Sequence, residues 1–264
     1  MSPLAVTLLS TLVVVLGVLA ALWALSVRLR DASIVDPFWG TGFVIVASVA
    51  LVLNQPATNR GLLLGLLTAA WGLRLSIYLL RRNWGHGEDR RYQAMRAHQG
   101  QRFWWLSLFT VFWLQAAILW FVSFPIQVAA AAGEPRTLGW LDALGVTVFF
   151  VGLVFESVGD WQLAQFKRDP ANRGRVMDRG LWRYTRHPNY FGDACVWWGL
   201  YLIAAAGGAW WTILSPLAMT VLLLKVSGVS LLEKTITERR PEYAAYQART
   251  NAFLPGPPRR VSDP

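Results

Sequence analysis

Apolar runs of up to about two dozen residues recur along the chain and constrain its fold more than any motif does. A helix rises ~1.5 Å per residue, so about 20 such residues cross the ~30 Å hydrocarbon core of a bilayer. A spanning segment must pair its backbone polar groups internally, which a helix does alone. The runs fall at roughly 4–27, 40–53, 62–80, 103–122, 139–160, 188–206 and 210–231. They predict an all-α, polytopic membrane protein of about seven transmembrane helices, one membrane domain over 1–264 with a cytoplasmic tail at 233–264. With 55% hydrophobic residues, 15% charged and a mean hydropathy of +0.37, the balance is that of a membrane protein rather than a soluble core. The first run is too long for a signal peptide and no basic segment precedes it.

A net charge of +10 could indicate nucleic acid, but the basic residues sit between the runs. Of the 25, 22 fall at 28–38, 81–102, 161–186 and from Lys225 onward; Arg60 and Arg136 lie in the other connectors and Arg74 inside a run. The positive-inside rule then predicts the N-terminus outside and the C-terminus cytoplasmic. Membrane lipids are expected partners, nucleic acid is not, and no obligate protein partner is evident. Cys195, the one cysteine, excludes an intramolecular disulfide and a cysteine metal site and reads as an inert thiol in an apolar helix. His86 and His98 lack a ligand motif, so no metal is expected.

The segment Gly180-Leu181-Trp182-Arg183-Tyr184-Thr185-Arg186-His187-Pro188-Asn189-Tyr190-Phe191-Gly192 is a cationic, polar cluster that leads straight into an apolar run. Pro188 fits the first turn of a helix, which predicts a start at about His187 to Pro188. The free N–H groups there, with Arg183, Arg186 and His187, would attract a phosphate or carboxylate. Asn189 and Asp193 share a face and could hydrogen-bond a ribose, a base or an amide. The alternative is an interfacial belt, arginines to headgroups with Trp182, Tyr184 and Tyr190 at the water boundary. Asn189 and Asp193 favour the site, because both are costly on a membrane helix without a partner.

Other polar residues fall at membrane depth. Glu156 and Asp160 are four apart on the fifth run and lead to Lys167, Arg168, Arg173 and Arg175. Glu156 could form a structural ion pair with Arg74 or a functional contact. Asp36, before Pro37, reads as a cap of the second helix. Arg74 and Tyr78 share a face of the third helix, where Tyr78 could be an interfacial aromatic. Residues 81–102 form a polar loop, Pro125, Gly133 and Pro135 mark an outer loop, and the tail opens amphipathic and ends in Pro255-Gly256-Pro257-Pro258.

Asp160-Trp161-Gln162-Leu163, Phe166-Lys167, Gly180 to Asp193, Arg240-Pro241-Glu242-Tyr243-Ala244-Ala245-Tyr246-Gln247 and Phe253-Leu254-Pro255 together resemble the steroid 5-alpha-reductase superfamily. Asp36-Pro37-Phe38-Trp39-Gly40 and Trp71-Gly72-Leu73-Arg74-Leu75 are similar to motifs of its uncharacterised bacterial branch, the domain of unknown function 1295. The resemblance implies a bacterial inner-membrane reductase of lipid metabolism that holds NADPH in a cytosolic cavity and passes hydride to a conjugated, lipid-soluble alkene, steroid- or isoprenoid-like. By position it implies cofactor contacts at Asp160, Lys167, Arg175, Asn189 and Asp193, beside Arg183, Tyr184, Arg186 and His187 of the cationic cluster. No Gly-x-Gly-x-x-Gly follows a strand, so loops and helix ends would hold the phosphates.

Steroid reductases of this superfamily use a glutamate on the second span and a tyrosine on the third. Here the second span has no glutamate and Trp71 stands where that tyrosine would be. Proton donation then falls to Tyr78, with Arg74 beside it, to Asp36 or Glu156, or to water. Arg186-His187-Pro188-x-Tyr190 and Glu233 also resemble, more distantly, the isoprenylcysteine carboxyl methyltransferases, which implies S-adenosylmethionine as the alternative cofactor. A non-catalytic lipid-binding membrane protein is the third reading.

Overall fold

The computed structural model describes residues 1–133, 137–226, 233 and 242–259. The described residues contain helices and turns without strand. Four helices are long and apolar enough to cross a membrane: Pro3–Leu29, Asn59–Asn83, the composite helix Arg90–Val122 and Trp140–Arg168. Phe38–Leu53 and Trp210–Val226 are apolar but shorter. The second predicted span is thus a helix of 16 residues, about 24 Å at ~1.5 Å per residue, short of a full hydrocarbon core. The end of the seventh predicted run, 227–231, and most of the amphipathic opening of the tail lie outside the described residues.

The chain divides into two compact units, Met1–Asp142 with Ile203–Ser215, and Ala143–Leu202 with Pro216–Pro264. In the first, α1 (Pro3–Leu29) starts under a Ser2 cap, its Oγ accepting from the Ala5 amide, and ends at Arg30 in a left-handed turn of φ 55°. Next, α2 (Phe38–Leu53) crosses α3 (Asn59–Asn83) where Gly40 meets Gly72. A Cβ on Gly40 would lie 2.0 Å from the Gly72 carbonyl oxygen, so the two motif glycines are the crossing point itself. Ser76 Oγ accepts from the Thr41 amide and hydroxyl at 2.8 and 2.9 Å, and Trp71 packs into the core with its ring centroid 5.7 Å from that of Phe43.

Two stretches expected as loops are helices. In the polar segment, α4 (Arg90–Gln99) is capped by Asp89, whose carboxylate accepts from the Arg91 amide at 2.9 Å. It leads through α5 (Phe103–Ser107) and a π turn (Leu108–Trp113) into α6 (Leu114–Val122). The outer loop contains α7 (Phe124–Ala131), which Pro125 starts rather than breaks because it sits in the first turn. Gln127, fully buried there, donates to the Trp120 carbonyl at 2.9 Å and to Ser123 Oγ at 2.8 Å. Arg60, expected in a connector, is buried in the first turn of α3; its Nε and Nη2 donate to the Asp142 carboxylate at 2.8 and 2.9 Å.

In the second unit, α8 (Trp140–Arg168) from Ala143 onward packs on α9 (Pro188–Ala206) as far as Leu202. The start of α9 at Pro188 agrees with the sequence. Glycines recur every seven residues on both helices, at 145, 152 and 159 and at 192 and 199, which keeps one face toward the partner helix. A Cβ on Gly152 would lie 2.5 Å from the Gly192 carbonyl oxygen, and one on Gly199 2.6 Å from the Phe149 amide. Helix α10 (Leu214–Val221) and α11 (Tyr243–Arg249) complete the described helices.

Candidate functional site

Among the described residues, a polar cluster in each unit brings together residues of the sequence motifs. In the first, Asp36 does not cap α2: Pro37 holds the cap position and no side chain bonds there. Asp36 Oδ2 instead accepts from Arg91 at 2.8 Å and Oδ1 from the Tyr92 hydroxyl at 2.7 Å. The Tyr92 oxygen accepts from Gln115 Nε2 at 3.3 Å, and Gln115 Oε1 accepts from Trp39 Nε1 at 2.7 Å. The Asp and the Trp of Asp36-Pro37-Phe38-Trp39-Gly40 are therefore the two ends of one network. Burial raises the Asp36 carboxyl above the usual carboxylate range, against the lowering pull of Arg91 and Tyr92. On α3 the Arg74 guanidinium stands 6.0 Å from the Tyr78 ring centre, and Arg82 stands 6.0 Å from the same ring.

In the second unit the turn at Gly180 needs its glycine, since φ is +58° and a Cβ would strike the Gln162 side chain. Gln162 Oε1 accepts from the Leu181 amide at 3.0 Å, and Trp182 Nε1 donates to the Gly159 carbonyl at 3.1 Å. At the start of α9 the Asn189 amide donates to Asp160 at 3.2 Å. Asp193 follows a turn later, half-buried, and Glu156 lies a turn before Asp160 on α8, buried. Lys167, Arg175, Arg183 and Tyr184 are exposed.

The helix start is less open than its sequence suggests: the Tyr190 amide donates to Asn189 Oδ1 and the His187 amide to Thr185 Oγ1. Arg186 is committed too, donating to Glu233 through Nε and Nη2 at 2.7 and 2.9 Å and to the carbonyls of Gln247 and Thr250 through Nη1. The His187 ring contacts Glu233 at 3.1 Å and stacks on Tyr190 at 5.5 Å. Glu233 also accepts from Gln247 at 3.1 Å and from the Tyr243 hydroxyl at 3.4 Å. Burial alone would raise the Glu233 carboxyl, but the bonds from His187 and Arg186 outweigh it and hold the pKa at about 2. Burial and the neighbouring Glu233 charge push Tyr243 up to about 12.

The tail closes over this segment. The Arg186 amide donates to the Asn251 carbonyl at 2.9 Å, the Gly256 amide to the Tyr184 carbonyl at 3.0 Å, the Thr185 hydroxyl to the Phe253 carbonyl at 2.8 Å and the Tyr246 hydroxyl to the Trp182 carbonyl. Tyr243, Tyr246 and Gln247 follow i, i+3, i+4 spacing on α11, a signal of one shared face that gave no hint of its partner. Arg91, Tyr92 and Gln115 gave less: they stood in a polar loop and inside an apolar run.

The family described as protein of unknown function (DUF1295) matches residues 22–250. The chain belongs to that family. DUF1295 is a steroid 5-alpha-reductase-like family, and the match takes in both polar clusters. Among curated proteins the chain is similar to Uncharacterized protein C594.04c of Schizosaccharomyces pombe, 27% identical over 261 residues, covering 89% of this chain and 75% of that one. It is also similar to a protein of Ustilaginoidea virens named Probable O-methyltransferase ustE, 40% identical over 78 residues, 30% of this chain and 26% of that one. No solved structure matches.

Proposed function

We propose that the chain is a seven-span membrane reductase that uses NADPH at its cytoplasmic face to reduce the conjugated alkene of a lipid-soluble, steroid- or isoprenoid-like substrate. The observation that carries this reading is the Asn189–Asp160 pair at the start of α9, with Asp193 one turn beyond. An amide and two carboxylates suit the hydroxyls of a ribose and a carboxamide, which both donate and accept. Lys167, Arg175 and Arg183, exposed in the same unit, suit phosphate oxygens, the arginines through bidentate bonds. These residues fit NADPH, which when bound supplies a hydride. Arg186 and His187, tied to Glu233, hold the Gly180–Asn189 segment against the tail, and the exposed face of Tyr184 stays open to a planar group.

Arg74 beside Tyr78 would stabilise negative charge that develops on a substrate oxygen. Tyr78, Asp36 and Glu156 are the proton-donor candidates; Asp36 would donate only after taking up a proton, because both its oxygens accept, from Arg91 and Tyr92.

The deciding experiment is a melting assay of the purified protein with NADPH and with S-adenosylmethionine. A ligand at about 100 times its dissociation constant stabilises by about 2.7 kcal/mol. We expect a shift with NADPH that Arg175→Ala weakens, and NADPH oxidation that Tyr78→Phe slows. The likeness to the Ustilaginoidea virens protein favours a second reading, methyl transfer from S-adenosylmethionine. A shift with that cofactor and none with NADPH would establish it; a response to neither would leave a lipid-binding protein.

A further inference from the structure

A cavity of about 310 Å³ opens in the first unit between the last turn of α1 and the α4–α5 segment, lined by Ser26, Arg30, Arg96, Phe103, Trp104 and Ser107. That volume is at the lower end of the ~300–1,000 Å³ range of small-molecule sites. Its wall is pinned: Trp23 Nε1 donates to the Trp104 carbonyl at 2.7 Å, and the two rings stack at 6.4 Å.

The polar groups that face the cavity select for an anion. The Ser26 and Ser107 hydroxyls donate to the carbonyls of Trp23 and Trp104 in their own helices, at 2.7 and 3.1 Å. The donors left are guanidinium groups. Arg96 lies over the Phe103 ring at 4.3 Å and gives Nε and Nη2 to Glu88 at 3.0 and 2.7 Å, which leaves Nη1. Arg30 stands where α1 turns off in the left-handed conformation, and among the described residues its side chain makes no hydrogen bond or ion pair. The nearby acids are engaged: Glu88 by Arg96 and the Ala32 amide, Asp31 by the Ser33 amide at 2.8 Å. Arg30 therefore keeps its guanidinium donors for an incoming anion, with the Asp31 charge, which acts on Arg96, opposing it in part.

The surroundings select for a lipid-borne anion. The cavity lies at the end of the most apolar long helix, and Trp104 and Trp105 are 55% and 42% exposed beside it, as in the aromatic belt at a membrane surface. We propose that the cavity binds the headgroup phosphate of an anionic phospholipid, with Arg30 and Arg96 on the phosphate oxygens and an acyl chain along Trp104. This site uses none of the residues assigned to the nucleotide.

The test is thermal melting of the detergent-purified protein with phosphatidylglycerol, phosphatidylcholine or sodium phosphate added. Phosphatidylglycerol should raise the melting temperature and phosphatidylcholine should not. Arg30→Gln should weaken the phosphatidylglycerol response at least tenfold, and Val27→Trp, which fills the rim without changing charge, should do the same. Arg28→Gln, an exposed neighbour outside the cavity, should leave it unchanged. Equal responses to the two lipids, or equal losses in Arg28→Gln and Arg30→Gln, would overturn the proposal in favour of diffuse attraction. Sodium phosphate acting at the concentration of phosphatidylglycerol would overturn the lipid assignment.

Discussion

Four side chains converge on the Glu233 carboxylate through five contacts: Arg186 through two nitrogens, His187, Gln247 and Tyr243. Because the pKa falls from 4.5 to about 2, the contribution of Glu233 to folding is complete above its unfolded value and is lost as pH falls toward its folded one. It is on the order of 3 kcal/mol. Protease cleavage of the tail should therefore be flat from about pH 7 to 5 and accelerate below about pH 4. Glu233→Gln should be cleaved faster throughout and lose that acid limb; a variant with the wild-type profile would remove Glu233 from the account. Arg60 and Asp142 form a second buried pair, 4% and 2% exposed. Arg60→Met should cost about 3–5 kcal/mol, and adding Asp142→Leu should recover most of it. Little of this was legible in advance. Asp36 read as a cap because an acid before a proline has a local explanation, whereas its partners Arg91 and Tyr92 lie 55 and 56 residues away.

At the scale of elements, sequence was most informative where a segment faces lipid or core over its whole length. The long helices and the start of α9 at Pro188 follow from apolar length and proline placement. Helix α4 was hidden because only Tyr92 in it is buried, so no apolar period marks it, and α7 because Pro125 looks the same in a loop and in a first turn. The seven-residue glycine spacing was visible, but its meaning depended on which helix α8 meets. That contact gives a prediction. Gly152→Ala should cost about 1–3 kcal/mol by forcing the backbones of α8 and α9 apart. Gly17→Ala in α1, where nothing lies within 4 Å, should stabilise by up to about 1 kcal/mol. Thermal melts of the two variants moving in the same direction would argue against close glycine packing.

At the scale of the whole molecule, the described contacts join connectors within each of the two units. Residues 28–38 and 81–102, both assigned inside, meet through Arg91 on Asp36 and Glu88 on the Ala32 amide. Residues 161–186 and the tail, also assigned inside, meet through Arg249 on Asp178 and the Arg186 amide on the Asn251 carbonyl. Among the connectors assigned outside, and within the first unit, Arg60 near the connector 54–61 bonds Asp142 and the Thr137 carbonyl, and a Cβ on Gly207 would lie 3.0 Å from Arg60 Cδ. Within each unit these pairings show which connectors meet; the division of basic residues is the argument for the side they face. Reporter fusions at Asn54, Gly133 and Gly208 should therefore lie outside, and one at Gln99 inside. An outside Gln99 with the other three inside would invert the orientation and remove cytosolic NADPH from the proposal. Asn54 and Gly133 on opposite sides would instead break the pairing of connectors, and with it the assignment of Phe38–Leu53 as a span.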